Sequence, residues 1–262
     1  MLDPFVVVAV LIIVGLGAGT LGSMIGVGGG LIMTPALTFM GFAPAQISST
    51  SLFAVTFASA SSTISYVKQK KIHYRVGVKT AAVAIPGAIG GAFISSLIAI
   101  EPFKIYFGIL LMFAGIYIAY SGSFIKEKQK GPSGNDKKLK LLRPLFYSGA
   151  FGAGIISSLF GVGGGIVFVP LLVLVLGMTL TTASPTSQLA LLITSFVGTA
   201  THAVLGHPDY FHAVSLSAGA FVGGQIGAKI SHKAKESLLR KMFSISLIAV
   251  AIKFISEFIG QH

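Results

Sequence analysis

The sequence is organised around the stretch GVGGG, which occupies residues 26–30 and returns unchanged at residues 161–165. Each glycine in a helix interior costs about 1 kcal/mol relative to alanine. Four glycines in five residues therefore predict that a helix is interrupted here, once in each half of the chain. The flanking residues also return at the same offset, namely Ser23 and Pro35 beside the first copy and Ser158 and Pro170 beside the second.

Composition indicates a membrane protein. Of the 262 residues, 53% are hydrophobic and 10% are charged, whereas soluble domains carry roughly 25% charged residues. The cations behind the formal net charge of +12 cluster between the apolar runs, as orientation in a membrane requires, so nucleic-acid binding is not expected. The chain has no cysteine, which excludes disulfides and thiolate catalysis. Its first apolar run continues into the glycine stretch and is predicted to be structural, not a cleaved signal peptide.

Apolar segments divide the chain into two sets of five predicted helical elements. The first set covers residues 4–25, 31–40, 46–67, 76–98 and 101–121, and the second covers 145–160, 166–176, 182–205, 212–230 and 238–258. Lysines and a Gly-Pro-Ser-Gly sequence between the sets indicate a flexible linker. We predict an all-α polytopic membrane protein with an N-terminal repeat (1–122), a basic cytoplasmic linker (123–143) and a C-terminal inverted repeat (144–262).

The segment after each glycine stretch is too short to cross a bilayer. Residues 31–40 would form about 15 Å of helix, against a hydrocarbon core about 30 Å thick. Each short segment is either half of a re-entrant hairpin or one part of a broken span. Irregular backbone at that depth is tolerated only against protein or a water-filled cavity.

Loop charge indicates that the two repeats have opposite orientations. Basic residues follow the third element of the first repeat but the fourth element of the second. If basic loops stay in the cytoplasm, the repeats are inverted, and an odd number of elements per repeat gives the same result. Both termini are then extracytoplasmic and the linker is cytoplasmic. The basic residues are Lys68, Lys70, Lys71, Arg75 and Lys79 in the first repeat, and Lys229, Lys233, Lys235, Arg240 and Lys241 in the second.

The glycine stretches also suit a chemical role. A short helix begins directly after each, and its first backbone N–H groups have no partner within the helix. These donors and the positive end of the helix dipole favour an anion. Secondary transporters place such broken helices at the interface of inverted repeats, near the middle of the membrane. Two such N-termini would hold a small anion without a buried lysine or arginine.

The paired G-x-G-G-G-x-x-x-x-P motifs at residues 26–35 and 161–170, the half-length repeat and the glycine-rich fourth element resemble the TauE/SafE family of membrane permeases. The resemblance covers essentially the whole chain. It implies transport of sulfite, organosulfonates or related sulfur-containing anions across a bacterial or archaeal cytoplasmic membrane, with no cofactor. It places substrate binding in the glycine stretches and the polar starts of the third elements. These residues are Gly26, Gly28, Gly29, Gly30, Ser49, Thr50 and Ser51, and Gly161, Gly163, Gly164, Gly165, Thr186, Ser187 and Gln188.

Other interpretations of these residues stay open. The glycines also suit close helix packing, and the hydroxyls at the start of the third elements also suit helix capping. Ser23 and Ser158 are predicted either to bind substrate or to bond a carbonyl one turn back. The third-element motifs differ, because Ser49 aligns with Pro185 and Leu52 aligns with Gln188 in the two repeats, so the site need not be symmetric.

His202 is the candidate for proton coupling, because imidazole titrates near neutral pH. Its position late in a helix favours interfacial placement instead. With no carboxylate in a span centre, we expect the membrane potential or the anion gradient to drive transport, and sodium bound by backbone carbonyls and hydroxyls stays an alternative. The alternatives are a passive anion channel and an intramembrane hydrolase using Ser23 or Ser158 with His202, for which neither G-x-S-x-G nor H-E-x-x-H is present. The expected partners are a small anion and the lipid bilayer, no metal is expected, and a homo-oligomer stays open.

Overall fold

The computed structural model describes residues 4–128, 136–231 and 236–259, and within these ranges the chain forms helices and no β-strand. The all-α prediction is confirmed for this part of the chain. The helices are α1 (Pro4–Ile25), α2 (Gly30–Phe39), α3 (Pro44–Lys68), α4 (Tyr74–Leu97), α5 (Ile100–Lys128), α6 (Asp136–Phe160), α7 (Gly165–Pro170), α8 (Leu180–Val204), α9 (Tyr210–Ile230) and α10 (Glu236–Ile259). A π-helical turn, Leu171–Val175, continues α7.

The helices follow the predicted order, and each glycine stretch separates a long helix from a short one. The main difference lies in the predicted linker. Helix α5 extends to Lys128 and α6 begins at Asp136, so both helices enter the range 123–143. Residues 129–135 of the linker lie outside the described residues, as do residues 232–235 of the second basic loop.

Four described helical segments are long and apolar enough to cross a membrane, by length and composition. Large apolar side chains such as Ile13, Phe113 and Phe196 are exposed on the surface of the bundle, as expected where lipid is the solvent. The segments are Phe5–Ile25, Tyr74–Leu97, Ile100–Ala119 and Leu180–Val204.

Glycines allow α1 to pack on α9, and α4 to pack on α6, with backbones in contact. Gly219 and Gly227 of α9 face the carbonyls of Ile12 and Thr20 in α1, so these helices run in the same direction. A Cβ at either glycine would overlap the opposite backbone, which is the small-residue packing expected between membrane helices. The second pair is also parallel, with Gly87 at Phe151 and Gly91 at Ile155.

Helices α3 and α8, the two third elements, pack against each other in opposite directions. Thr56 Oγ1 lies 3.2 Å from Thr199 Oγ1, and one turn or more further along α3, Ser62 donates to Gln188 Oε1 at 3.2 Å. The end of α3 therefore lies beside the start of α8.

Charged side chains occupy two opposite ends of the bundle. At one end, Gln69 after α3 donates to the Ala228 carbonyl near the end of α9 at 3.0 Å. We call this the basic end, and its described cations are Lys68, Lys70, Lys71, Arg75 and Lys229. At the other, the mixed-charge end, the Phe42 ring contacts the His212 ring at 4.8 Å between centroids. The mixed-charge end also carries Glu101, Lys104, Asp209, Lys253 and Glu257.

The chain reverses direction at each glycine stretch. Gly29 packs on the Ala18 backbone, so α2 begins alongside α1. Phe42, just beyond α2, contacts His212 at the start of α9. Because α9 is parallel to α1, α2 returns to the end of the bundle where α1 begins. The second half makes the same reversal toward the basic end, where His73 N–H donates to Thr186 Oγ1 at 3.1 Å.

Helices α5 and α10 form a separate antiparallel pair, in which Ser244 donates to the Gly115 carbonyl at 2.7 Å. Aromatic rings join this pair to the rest of the bundle. Phe160, directly before the second glycine stretch, lies 5.3 Å from Phe103 in α5. The α5–α10 pair is thereby in contact with the chain at the glycine stretch. Further contacts join Phe107 to Phe160 and Phe39 to Phe254.

Candidate functional site

The two glycine stretches cross in the interior and contact each other, and we call this place the glycine crossing. A Cβ on Gly30 would lie 2.5 Å from Val162 Cα, and a Cβ on Gly165 would lie 2.6 Å from Val27 Cα. Every residue of both stretches is buried. The short helices α2 and α7 therefore begin on the two sides of one crossing point.

Backbone conformation explains why glycine recurs at these positions. Gly26 and Gly28 have φ of +83° and +82°, and their counterparts Gly161 and Gly163 have +69° and +78°. Residues other than glycine rarely adopt this left-handed backbone conformation, which costs an L-residue about 1–2 kcal/mol. Two left-handed residues in each stretch turn the chain from the long helix into the short one.

The amino ends of the short helices present N–H groups to the crossing. Gly29 is the N-cap of α2 and Gly164 is the N-cap of α7, and neither makes a side-chain cap hydrogen bond. The N–H groups of Ile32 and Val167 donate to the cap carbonyls of Gly29 and Gly164 at 3.1 and 3.0 Å, and the N–H groups before them in each first turn have no partner within their own helix. With glycine as the cap, these donors and the positive helix dipoles remain for a ligand.

Serine hydroxyls tie each glycine stretch to the other half of the chain. Ser51 of α3 donates to the Gly161 carbonyl at 2.8 Å, and Ser187 of α8 donates to the Gly26 carbonyl at 2.7 Å. One turn earlier, Ser48 donates to the Leu159 carbonyl and Ser184 to the Ile25 carbonyl. These four bonds hold the crossing together. They also commit the protons of the predicted ligands Ser51 and Ser187 to backbone carbonyls.

The polar residues at the start of the third elements are not helix caps. Helix α3 begins at Pro44 after the N-cap Ala43, and α8 begins at Leu180 after the N-cap Thr179. The serines and threonines therefore lie inside their helices, one turn or more beyond the caps. Four of them donate to carbonyls of the other half of the chain instead, namely Ser48, Ser51, Ser184 and Ser187.

Gln188 makes the crossing asymmetric. Its Nε2 donates to the Gly22 carbonyl at 3.1 Å, and its Oε1 accepts from Ser62. The equivalent position in the first repeat is Leu52, which is buried and cannot form such bonds. The two hydrogen bonds of Gln188 therefore have no counterpart at Leu52.

Three further predicted ligands make no hydrogen bond to a glycine stretch. Ser49 donates to the Gln46 carbonyl of its own helix at 3.1 Å. Thr186 donates to the Thr182 carbonyl at 2.7 Å and accepts from the His73 N–H. Thr50 is buried and its hydroxyl has no partner.

Ser23 and Ser158, each three residues before a glycine stretch, carry unpartnered hydroxyls, and the Ser158 Oγ lies against Gly198 of α8. Their side chains are 1% and 0% exposed, and neither Oγ has a hydrogen-bond partner. Neither serine therefore bonds a carbonyl one turn back. A buried hydroxyl left unpaired costs about 1–3 kcal/mol, so a ligand with acceptor oxygens would recover that energy. Other buried hydroxyls without a partner among the described residues are Thr50, Ser59, Thr63, Ser157 and Thr194.

Sequence reasoning missed Tyr66, which occupies the position equivalent to His202. Tyr66 is 1% exposed, and its hydroxyl donates to the Ser23 carbonyl at 2.8 Å. His202 is 0% exposed, and its Nε2 lies 3.0 Å from the Ser158 carbonyl. A phenol in one repeat and an imidazole in the other thus donate hydrogen bonds to equivalent backbone carbonyls. The offset of 136 residues between positions 66 and 202 was the available signal.

His202 is buried near the end of α8, because the α8–α9 loop folds over it. His207 Nδ1 lies 2.9 Å from His202 Nδ1, and the His207 N–H donates to the His202 carbonyl at 3.1 Å. Both ring nitrogens of His202 are thereby occupied. The Ser158 hydroxyl has no hydrogen-bond partner, so the Ser158–His202 dyad considered from sequence is not formed.

The loop that covers His202 ends in a capped helix. Asp209 is the N-cap of α9 and accepts from the His212 N–H at 3.2 Å, and the His212 Nδ1 lies 2.9 Å from its carboxylate. Burial opposes ionisation of Asp209, but the hydrogen bonds and charge of His212 outweigh it and lower the pKa of the carboxyl. Partial burial lowers the pKa of His207. The described residues contain no cluster of three or more His, Asp or Glu side chains suited to a metal ion.

Comparison with known proteins places the chain among transporters. The sequence profile described as "Sulfite exporter TauE/SafE" matches residues 11–254. The chain is 30% identical to "Probable membrane transporter protein YunE" of Bacillus subtilis over 265 residues, which cover 95% of this chain and 97% of the relative. It is 23% identical to "Probable membrane transporter protein YfcA" of Escherichia coli K12 over 262 residues, covering 100% and 94%. No solved structure matches the chain.

Proposed function

The chain belongs to the sulfite exporter TauE/SafE family of membrane transporters, and on that premise we propose that it moves a small sulfur-containing anion such as sulfite, thiosulfate or an organosulfonate. The anion is held at the glycine crossing. The single observation that carries this proposal is the meeting of two glycine-capped helix N-termini inside the protein, with buried and unpartnered hydroxyls at Ser23 and Ser158, three residues before the glycine stretches.

The charge of the buried side chains supports binding by dipoles. The buried polar residues in the described part of the chain are serine, threonine, glutamine and histidine, with no lysine or arginine among them. An anion in such a site is stabilised by backbone N–H groups, helix dipoles and hydroxyl protons. Donors of this kind are neutral, so the site releases its anion without breaking a buried ion pair.

The packing of the helices supports two inverted repeats. Helices α3 and α8, equivalent in the two halves, are antiparallel. Helix α1 is parallel to α9, the counterpart of α4, and α6 is parallel to α4. Each half of the chain then has the reverse orientation of the other, and each glycine stretch is the tip of a re-entrant hairpin that enters and leaves on one side of the membrane.

The distribution of charge supports one orientation in the cell membrane. The described cations of the two basic loops lie together at the basic end, joined by the Gln69 to Ala228 bond. This end is cytoplasmic by the preference of lysine and arginine for cytoplasmic loops. The mixed-charge end, where α1 begins and α10 ends, is then extracytoplasmic.

Transport proceeds by alternating access around the crossing. Tyr66 lies toward the cytoplasmic side of the crossing and His202 toward the other side, and each bonds the carbonyl of a serine beside the site. Both are buried in this structure, which corresponds to a state closed on both sides. Release of one bond at a time opens the site to one side of the membrane.

Uptake into proteoliposomes tests the proposal. Labelled sulfite, thiosulfate, sulfate and methanesulfonate are supplied outside, and vesicles preloaded with unlabelled anion test for counterflow. We expect saturable uptake of at least one sulfur oxyanion, accelerated by preloading. Uptake that does not saturate, accompanied by large unitary currents, would indicate a passive channel. No uptake of any anion, by protein that stays folded, would overturn the proposal.

A further inference from the structure

The function proposed above uses the bond of His202 to the Ser158 carbonyl, but not the contact of His202 with a second imidazole, that of His207, at the extracytoplasmic end of α8. His202 is fully buried, with Nε2 at 3.0 Å from the Ser158 carbonyl and Nδ1 at 2.9 Å from His207 Nδ1. A backbone bond from the His207 N–H to the His202 carbonyl fixes the loop to the helix. The two rings are therefore held in register by the main chain.

Counting protons gives a single exchangeable position. A carbonyl only accepts, so His202 Nε2 carries a hydrogen. The contact between the two Nδ1 atoms needs one hydrogen between them, so in the neutral pair His207 donates and His202 accepts. The one remaining nitrogen is His207 Nε2. It can take up a proton without breaking either hydrogen bond, whereas a second added proton would break the contact between the rings.

This position is open to the extracytoplasmic side. His207 lies in the loop before α9 and is half-buried, whereas His202 is 0% exposed. A proton added at His207 Nε2 places a positive charge on two coupled rings, and the inner ring contacts Ser158. The Ser158 hydroxyl is unpartnered and lies three residues before the second glycine stretch. An anion at the crossing would attract that charge through a region of low dielectric constant.

The other charged groups near this pair do not offer an equivalent position for binding a proton. At the same end, Asp209 pairs with His212, Glu101 and Glu257 pair with Lys104, and Lys253 lies beside Glu257. Among the other helices that pack on α8, α1 and α7 have no ionisable side chain, and the described side chains of α6 include one, the exposed Tyr147. Helices α3 and α4, which also pack on α8, have their described ionisable side chains at or near the basic end. These side chains are Tyr66, Lys68, Tyr74, Arg75 and Lys79.

We propose that His202 and His207 form a proton-binding site whose occupancy is coupled to the anion, so that one proton binds from the extracytoplasmic side together with the substrate. This inference rests on the proposed function and adds the coupling ion. The equivalent residue Tyr66 stays neutral in the physiological range, so the coupling is confined to one side of the membrane. By linkage, protonation tightens anion binding by the same factor by which the anion tightens protonation.

The test uses thiosulfate as the probe, because its charge stays constant between pH 5 and 8 whereas sulfite itself titrates. The first readout is the KM for uptake at different external pH. The second is proton uptake on adding thiosulfate to purified protein in weakly buffered detergent solution, followed with a pH-sensitive dye. For the wild type we expect a KM about tenfold lower at pH 5.5 than at pH 7.5, because a difference of about one pKa unit between the free and the anion-bound protein corresponds to a tenfold change in affinity. We also expect proton uptake when the anion binds.

The variants separate coupling from folding. His207→Gln keeps a donor toward His202 but cannot titrate, so we expect a KM that no longer depends on pH and no proton uptake. His212→Gln, at the same end, is the matched control and should keep both effects. Thiosulfate binding by the wild type without proton uptake, or a KM that still depends on pH in His207→Gln, would overturn this inference and leave the proposed function unaffected. Failure of every anion in the panel to bind or enter at any pH would overturn the proposed function and this inference with it.

Discussion

Tyr66 and His202 hold equivalent backbone carbonyls on opposite sides of the glycine crossing. Tyr66 donates to the Ser23 carbonyl at 2.8 Å, and His202 donates to the Ser158 carbonyl at 3.0 Å. Ser23 and Ser158 each stand three residues before a glycine stretch. One repeat therefore uses a phenol and the other an imidazole for the same contact, which makes the two sides of the site alike in geometry and different in chemistry.

Removing the hydroxyl of Ser23 or Ser158 should weaken substrate binding without destabilising the protein. Neither hydroxyl has a protein partner, so Ser23→Ala and Ser158→Ala lose no internal bond. A hydrogen bond to a charged ligand is worth about 1.5–3 kcal/mol, which raises the KM by about tenfold or more. The measurement is uptake kinetics together with thermal unfolding in detergent. Ser217→Ala, which removes a buried hydroxyl bonded within α9, is the control and should leave KM unchanged.

Removing the hydroxyl of Ser51 or Ser187 should instead lower stability. Each donates to a glycine-stretch carbonyl of the other half, and leaving a buried acceptor unpaired costs about 1–3 kcal/mol. We expect a lower unfolding temperature for Ser51→Ala and Ser187→Ala, measured by loss of the monodisperse peak after heating. Ser96→Ala, at an exposed position bonded within its own helix, should behave as wild type. Equal stability of all three variants would contradict the role given to these serines.

Alanine should be tolerated at Gly17 but not at Gly26. Gly26 has φ of +83°, and a Cβ there would lie 2.6 Å from Ser184 Cα, whereas nothing lies within 4 Å of a Cβ at Gly17. The left-handed conformation alone costs about 1–2 kcal/mol, and the overlap adds to it. Gly17→Ala removes a helix glycine and is expected to be neutral or to stabilise by up to about 1 kcal/mol. Thermal unfolding of the two purified variants provides the comparison, and a stable Gly26→Ala protein would be inconsistent with the crossing.

Stability should fall in acid because of Asp209. Hydrogen bonds from His212 lower the pKa of this carboxyl in the folded protein, so folding favours the charged form. The contribution is complete above the unfolded pKa, near 3.8, and is lost as pH falls through the lower folded value. In Asp209→Asn we expect this part of the acid dependence to disappear. The check is the unfolding temperature of both proteins from pH 3 to pH 7, and parallel curves would refute the assignment.

The repeated glycine stretches predicted much of the fold, because a membrane protein can accommodate an interrupted helix in only a few ways. The positions of α2 and α7, the order of the elements and the packing of glycine helices all follow from glycine at fixed places. The local sequence did not settle whether Gly26 to Gly30 ends a hairpin or a broken span. That choice depends on the contact of Gly29 with Ala18 and of Gly30 with Val162, which join residues far apart in the chain.

The site was harder to predict than the fold, since the sequence does not show whether a serine hydroxyl binds a ligand or a backbone carbonyl. Ser51 donates to a carbonyl and Ser23 has no partner, although both were predicted as ligands. His202 is predicted near the outer end of its helix, and the helix ends two residues later, but the sequence did not show that the loop carrying His207 covers it. These differences arise from tertiary contacts that periodicity does not encode.

Locating a heavy-atom analogue of the substrate shows directly whether the anion binds at the glycine crossing. Selenite resembles sulfite in shape and charge, and selenium scatters anomalously, so crystals grown with selenite would show where the anion binds. We expect an anomalous peak at the glycine crossing, within hydrogen-bonding distance of the first N–H groups of α2 and α7 and of Ser23 or Ser158. A peak only at the basic loops, with the crossing empty and uptake of selenite intact, would contradict this expectation.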